Sequence, residues 1–378
     1  MARPLKALIS KTALQHNLNV VRQLTQNAKI IAMVKANAYG HGLIQVAQAL
    51  ESFGVDALGV ACIEEAIQLR ESGVESAIVL MEGFFEPQEL ALIQEFNLIA
   101  VVHHEEQLKI LEASLGALSF KSGSPISLWL KINTGMHRLG LALDQAALAW
   151  DRLESLNSKN KITNKNSLEI LGFMTHFAVA EALDNPDHVA YTQAQMIKFQ
   201  KAIGHLPGAR SLANSAGILG WKDSHADWVR PGLMLYGASP FPDKNPQSLN
   251  LIPAMELKSA LIAIHALKKD ERLGYGLIYT CPEDMLVGIV AIGYGDGFPR
   301  LAPTGTRILV GGQLTSLIGR VSMDMIAVDL RPCHNPYIGQ EVELWGHHLG
   351  VEQVAQDMNT SAYELLASFS PRVPLIMV

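Results

Sequence analysis

A lysine at the end of a short apolar segment is the most informative feature of the sequence. Residues 30–34 are apolar, Lys35 follows them directly, and a polar segment with two glycines occupies residues 36–42. The pattern predicts a strand that carries Lys35 at its carboxyl end. A lysine partly removed from water loses its proton more readily, and a neutral amine can act as a base or form a Schiff base with a carbonyl cofactor. A solvated strand-end lysine is the alternative for this segment taken alone.

Short apolar segments alternate with stretches of helical spacing over most of the chain before residue 239. The predicted strands are residues 29–34, 57–61, 77–81, 98–102, 127–132, 169–174, 210–213 and 228–230. The predicted helices are residues 41–51, 64–71, 86–96, 105–115 and 143–156. About eight such units predict an α/β fold and favour a (β/α)8 TIM-type barrel, although an open doubly wound sheet uses the same alternation. In a barrel, catalytic residues lie at the carboxyl ends of the strands, where Lys35 is expected.

The pattern changes at a segment rich in Pro and Asn, residues 239–246. Beyond it, apolar runs separated by Gly, Pro and Asp predict strands at residues 261–266, 285–292, 306–310, 315–318, 325–330 and 341–345. Two short helices are expected at residues 351–357 and 362–367. The sequence thus predicts a barrel over residues 1–238 and a mostly β C-terminal domain over residues 239–378.

Composition excludes several other classes of protein. With 30 Lys and Arg against 36 Asp and Glu, the net charge of −6 offers no basic excess for nucleic acid. We find no apolar run long enough to cross a membrane and no signal peptide, so a cytoplasmic protein is expected. The three cysteines, Cys62, Cys281 and Cys333, are too few and too widely spaced for a disulfide framework. The two histidines of each adjacent pair would point to opposite faces of a strand, so no metal site is expected.

The lysine segment resembles the pyridoxal 5′-phosphate (PLP) lysine motif of the alanine racemase family. Further segments match that family in order and cover essentially the whole chain: residues 131–140 (KINTGMHRLG), 174–177 (MTHF), 213–216 (ANSA), 229–233 (VRPGL), 273–276 (LGYG), 293–297 (GYGDG), 319–324 (GRVSMD) and Tyr363. Each motif alone is weak evidence for this family, but the whole set in this order is highly specific for it.

The resemblance implies a PLP-dependent enzyme that interconverts L- and D-alanine and supplies D-alanine for bacterial peptidoglycan. A serine racemase, or one of broad specificity with the same fold, is the alternative. Lys35 would bind PLP and act as the base on one face of the substrate, and Tyr275 of a second subunit would act on the other face. This sharing implies a head-to-tail homodimer. In the family the extreme N-terminus can join the β domain, which leaves the placement of residues 2–8 open.

The resemblance also assigns residues that hold the cofactor. Arg230 would face the pyridine nitrogen of PLP, and His176 would bridge Arg230 and Tyr275. The residues implied to hold the phosphate are Tyr39, Ser215, Gly232, Leu233 and Tyr363. Arg230, where other PLP enzymes have a carboxylate, argues against a decarboxylase of similar architecture. Tyr275 and residues 322–324 argue against a PLP-binding protein without turnover.

The remaining assignments concern the substrate. Arg138, together with Met323 of the second subunit, would bind the substrate carboxylate. Lys131 corresponds to a lysine that is carbamylated in some members of the family. An entry corridor would be lined by Glu181, Tyr294, Arg300 and Arg320. The sequence departs from the usual family pattern at Asn133, Val179 and Glu181, which affects the charge and width expected at the site.

Overall fold

The computed structural model describes residues 3–117, 125–162 and 167–378. The chain forms two compact units. The barrel unit comprises Leu18–Ala38 and Leu43–Gly232, and the β unit comprises the chain up to Asn17, the segment Tyr39–Gly42 and Leu233–Val378.

Eight parallel strands form a closed barrel in the barrel unit. In chain order, β1 (Lys6–Ile9) and α1 (Lys11–Thr25) come first. The barrel strands are β2 (Lys29–Met33), β3 (Ala57–Val60), β4 (Ala77–Leu80), β5 (Leu98–Val102), β6 (Ile126–Lys131), β7 (Leu168–Met174), β8 (Ala209–Ser211) and β9 (Trp228–Val229). The last strand, β9, pairs in parallel with β2, so the sheet has no free edge. The TIM-type barrel is confirmed over the open sheet.

Helical elements follow the barrel strands. They are α2 (Lys35–Tyr39), α3 (Leu43–Ser52), α4 (Ile63–Glu71), α5 (Glu89–Glu95), α6 (Glu105–Ala117), α7 (Gln145–Ile162), α8 (Pro186–Ile203) and α9 (Ser215–Gly220). Strands β3, β4 and β5 are apolar on both faces, as expected when side chains fill the barrel and helices cover it. Strand β3 is buried throughout. Gly59 leaves room for a side chain of the neighbouring strand, because a Cβ at this position would lie 2.6 Å from Met33 Sδ and would displace it.

The short element α2 is a turn of left-handed helix. The φ and ψ angles are 54° and 55° at Ala36, 55° and 43° at Asn37, and 53° and 51° at Ala38. The turn is anchored at both ends, since Ala38 N–H donates to Val34 O at 2.8 Å and Asn37 Oδ1 accepts from Leu43 N–H at 2.8 Å. A residue with a Cβ pays about 1–2 kcal/mol for this conformation, so strained backbone follows Lys35 directly.

The β unit is built on one large, mostly antiparallel sheet. The remaining strands are β10 (Met255–Leu267), β11 (Arg272–Leu273), β12 (Tyr279–Thr280), β13 (Met285–Val290), β14 (Arg307–Val310), β15 (Gln313–Ile318), β16 (Ile326–Asp329), β17 (Glu341–Trp345) and β18 (Leu375–Met377). The sheet runs in the order β13-β16-β15-β14-β17-β10-β1-β18, and β10 also pairs with β13. Six strands therefore close on one another, and the mostly β C-terminal domain is confirmed.

Short helices complete the β unit. The α-helices are α10 (Val351–Asp357) and α11 (Ala362–Ala367). Single turns of 3-10 helix occur in the barrel unit at Lys222–Ser224 and in the β unit at Leu233–Tyr236, Pro246–Leu249, Tyr275–Leu277 and Tyr294–Asp296. Among the described residues, no helix combines the length and apolar character required to span a bilayer.

Candidate active site

The carboxyl ends of the barrel strands carry most of the residues that the sequence singles out. Lys35 follows β2, Lys131 ends β6, and Arg138 lies in the segment after it. His176 follows β7, Ser215 follows β8 and Arg230 follows β9. Lys131, Arg138 and His176 also line one cavity. The barrel therefore gathers cationic groups at the end where such folds carry out chemistry.

Arg230 is buried and held by the barrel itself. Its Nη1 donates to Ser211 Oγ, and its Nη2 donates to the carbonyl oxygens of Thr175 and Leu212, the latter at 3.0 Å. Burial lowers the pKa of Arg230 to about 10, so the guanidinium remains charged near neutral pH. These bonds use three of its five N–H donors, and the others have no partner among the described residues.

The side-chain amine of Lys131 makes no hydrogen bond or ion pair within the described part of the chain, and only 7% of the residue's surface is exposed. Burial lowers its pKa to about 8, and the charges of Arg230 and Arg138 act in the same direction. The carboxylate of Glu82 acts in the opposite direction. An appreciable fraction of the amine is therefore neutral at slightly alkaline pH.

His176 stays neutral in this environment. Burial, followed by the positive charges of Arg230 and Lys131, holds its pKa well below the usual range. Arg138 and Lys35 act in the same direction. Four cationic side chains around an uncharged imidazole form a field suited to anionic groups such as a phosphate or a carboxylate.

Two further elements of the barrel unit support this region. Ser215 is buried at the start of α9, and its Oγ accepts a hydrogen bond from Gly232 N–H at 3.0 Å. Asn133 organises the segment that leads to Arg138, because its Oδ1 accepts from Gly135 N–H and His137 N–H, each at 3.1 Å. Val179 and Glu181 lie half-buried in the segment after β7.

The β unit contains a cluster of aromatic side chains. The ring of Tyr39 stacks on Tyr236 with a centroid distance of 4.8 Å and lies 5.9 Å from Tyr363. Leu233 is buried at the start of its 3-10 turn. Two of the tyrosines implied to hold a phosphate, Tyr39 and Tyr363, are thus in contact.

Met323 lies in a turn that the β unit fixes from several sides. Gly295 N–H donates to Met323 O at 2.8 Å, and a Cβ at Gly293 would lie 2.4 Å from the same oxygen. Arg3 pairs both Nη atoms with the buried carboxylate of Asp296, at 2.6 and 2.7 Å, and also donates to Asp324 O. The turn is therefore rigidly held although the Met323 side chain is exposed.

The other predicted residues of the β unit lie at its surface. Tyr275 is 67% exposed and Met323 is 52% exposed. The guanidinium of Arg300 lies 5.8 Å from the ring centre of Tyr294. Arg320 lies beside the Tyr275 turn, since a Cβ at Gly276 would be 3.6 Å from Arg320 Nη1. The structure thus places Arg300 against the Tyr294 ring and Arg320 beside the turn that carries Tyr275.

The residues that hold the site residues in place through hydrogen bonds were not identified from the sequence. Ser211 and Thr175 hold Arg230, and buried Gln195 hydrogen-bonds to the segments after β6 and β7. The burial of Gln195 could have been predicted, because it shares a helix face with the buried residues Thr192, Phe199 and Ile203. A polar residue on a buried helical stripe must find partners inside the protein.

A closed (β/α)8 barrel with a lysine after its first strand, followed by a mostly β unit, defines a two-part barrel enzyme. Comparison with known proteins narrows this class. Residues 9–240 match the family model for the alanine racemase N-terminal domain, and residues 254–377 match that for the C-terminal domain.

Individual alanine racemases are similar to this chain over its full length. The alanine racemase of Nitrosomonas europaea is 47% identical over 377 residues, covering 100% of this chain and 99% of the relative. That of Nitrosomonas eutropha is 46% identical over 379 residues, with 100% of both chains covered. The crystal structure of the biosynthetic alanine racemase from Pseudomonas aeruginosa matches with a TM-score of 0.88 and 38% identity over 100% of this chain and 99% of that one. The chain belongs to the alanine racemase family of PLP-dependent racemases, as the sequence resemblance predicts.

Proposed function

We propose that this enzyme interconverts L- and D-alanine in the bacterial cytoplasm and supplies D-alanine for peptidoglycan. The observation that carries the proposal is the group of four cations around neutral His176 at the carboxyl end of the barrel. A site of this character suits a substrate with a carboxylate and a cofactor with a phosphate. The names of the full-length relatives support alanine as the substrate.

The residues present fit PLP. Lys35 would bind it covalently, and Arg230 would direct an N–H donor at its ring nitrogen. Ser215 and Gly232, already joined by a hydrogen bond, would hold the phosphate. The other groups proposed for this phosphate are the backbone N–H of Leu233 and the hydroxyls of Tyr39 and Tyr363. PLP, when bound, withdraws electrons from the substrate and so makes its α-proton acidic.

The chain itself must move two protons. Lys35 Nζ takes or returns the α-proton on one face of the substrate, and Tyr275 Oη of a second copy does so on the opposite face. In each turnover one base removes a proton while the other delivers one, and the reverse reaction exchanges their roles. Arg230 remains charged because its pKa of about 10 lies above neutral pH. It therefore gives no proton to the ring nitrogen, which favours return of the proton to the α-carbon over transamination. Neutral His176 is proposed to link Arg230 to Tyr275.

The substrate carboxylate would pair with Arg138 and with the Met323 N–H of the second copy. A planar guanidinium matches a carboxylate with two parallel hydrogen bonds. The exposed positions of Tyr275 and Met323 support a head-to-tail homodimer in which each copy completes the site of the other. Glu181, Tyr294, Arg300 and Arg320 are proposed to line the entry corridor.

Chiral analysis of L-alanine incubated with the protein and PLP tests this function, with L-serine measured in parallel. We expect L-alanine to approach equal enantiomers quickly and L-serine slowly. We also expect Lys35→Ala to abolish both turnover and the visible absorbance of lysine-bound PLP. If L-serine racemises as fast as L-alanine, the enzyme has broad specificity. If neither substrate racemises while PLP stays bound, the proposal is wrong.

A further inference from the structure

Gln195 lies in the middle of α8 and has no exposed surface. Its Oε1 accepts from Ala178 N–H at 2.9 Å. Its Nε2 lies 3.0 Å from both Thr134 Oγ1 and His176 O. Both N–H donors and the carbonyl oxygen of this buried amide have a partner, and none of these bonds lies within its own helix.

The partners fix the direction of every hydrogen bond. Ala178 N–H can only donate, so Oε1 must face it and Nε2 must donate to Thr134 and His176 O. Thr175 Oγ1 donates its single hydrogen to Ile132 O at 2.9 Å. The bond of 2.8 Å between the two threonine hydroxyls must therefore run from Thr134 to Thr175. The chain of donors begins at Gln195 and ends on the backbone of the segment after β6.

This series of hydrogen bonds joins segments of the site that follow different barrel strands. It ties Thr134, four residues before Arg138, to the segment after β7 that carries His176. Its member Thr175 also accepts a hydrogen bond from Arg230 through its carbonyl oxygen. A network that is fully satisfied and runs in one direction holds its members in a single arrangement.

From these contacts we infer that Gln195 is a positioning residue for racemisation. It acts through Thr134 and His176 and sets the segments that carry Arg138 and His176 relative to Arg230. The inference rests on the proposed function, since it assigns these three residues to the reaction. Misplacing a reacting group by about 1 Å costs up to about 100-fold in rate, so the expected effect is large for a residue that does not touch substrate.

The test compares Gln195→Met with Gln193→Met. Methionine keeps the length of glutamine but removes all three bonds, and Gln193 is an exposed residue of the same helix. We expect Gln195→Met to lower kcat and raise KM for L-alanine, with a combined loss in kcat/KM of about 10- to 100-fold. Gln193→Met should match the parent. Hydrogen exchange in the cofactor-free protein should be faster for Ala178 N–H in Gln195→Met only.

A second pair of variants covers the case in which Gln195→Met does not fold. Thr134→Val removes the hydroxyl but keeps the shape, and should lower kcat/KM in the same way; Thr134→Ser keeps the hydroxyl and should restore it. Parental kinetics and parental Ala178 exchange in a folded Gln195→Met variant would overturn the inference. If Gln195→Met does not fold, parental kinetics in Thr134→Val would overturn it. Failure of the parent itself to racemise alanine would instead overturn the proposed function, and the Ala178 exchange would still decide whether Gln195 fixes this segment.

Discussion

At the scale of single residues, Lys131 is the side chain whose titration should make the site sensitive to pH. It is a buried cation among other cations and has no ion pair in the described part of the chain. A neutral lysine amine can react with carbon dioxide: a nitrogen–carbon bond forms, one proton is released, and a carbamate anion results. We propose this modification, because an anion here would hold Arg138 whereas an ammonium group repels it.

The modification should follow the titration of Lys131. With a pKa of about 8, the neutral fraction rises from about a tenth at pH 7 to about nine-tenths at pH 9. We therefore expect added bicarbonate to lower KM for alanine more strongly at pH 8.5 than at pH 7, and labelled bicarbonate to give a carbamate signal in 13C NMR. Lys131→Met should have a KM several-fold higher and insensitive to bicarbonate. A parent enzyme with no carbamate signal and no bicarbonate effect would rule out the modification.

The sequence identifies residues in motifs more readily than the residues that support them. Lys35 and Arg230 stand in ordered motifs, and the structure places both at the carboxyl end of the barrel. Gln195 and Thr175 have no motif of their own, because their role depends on which segments the fold brings within hydrogen-bond distance. The roles assigned to Tyr275 and Met323 remain predictions.

At the scale of elements, the left-handed turn after β2 is the clearest departure from expectation. The sequence shows only a polar segment with two glycines at residues 36–42, but Ala36, Asn37 and Ala38 form a turn of left-handed helix. Alanine has no preference for this conformation, so the local sequence does not predict a left-handed turn. Its anchors, Val34 O and Leu43 N–H, lie outside the turn.

Glycine should relieve the strain in this turn. Because glycine adopts positive φ without steric cost, we expect Ala36→Gly to raise the free energy of unfolding by about 1 kcal/mol. Ala113→Gly supplies the matched control, since Ala113 is exposed within right-handed helix α6 and should lose about 1 kcal/mol. Denaturant unfolding of both variants measures the difference. A loss of stability in Ala36→Gly similar to that in Ala113→Gly would show that the turn is not strained.

The strands of both units could largely be predicted. The predicted segments 98–102 and 341–345 coincide with β5 and β17, because each is a nearly continuous buried run with polar flanks. The helix α8 was not predicted, although Asn185 before Pro186 is a recognisable helix start. The pairing of β1 with β18 could not be predicted, because it joins opposite ends of the chain.

At the scale of the whole molecule, periodicity alone does not distinguish a closed barrel from an open sheet. Closure depends on one non-local pairing, between β2 and β9, which places Lys35 and Arg230 after adjacent strands. The β unit closes in a comparable way, through the long strand β10. Tyr275 is an exposed residue of this unit, and we propose that it acts at the site of a second copy.

A heterodimer of two inactive variants tests most directly whether Lys35 and Tyr275 act from different copies. Lys35→Ala and Tyr275→Phe would be co-expressed with different tags, and the heterodimer would be isolated by purification on both tags. One of its two sites would combine intact Lys35 with intact Tyr275, so we expect about half of the parental alanine racemase activity. Each variant alone should be nearly inactive. A heterodimer no more active than these homodimers would contradict the shared site.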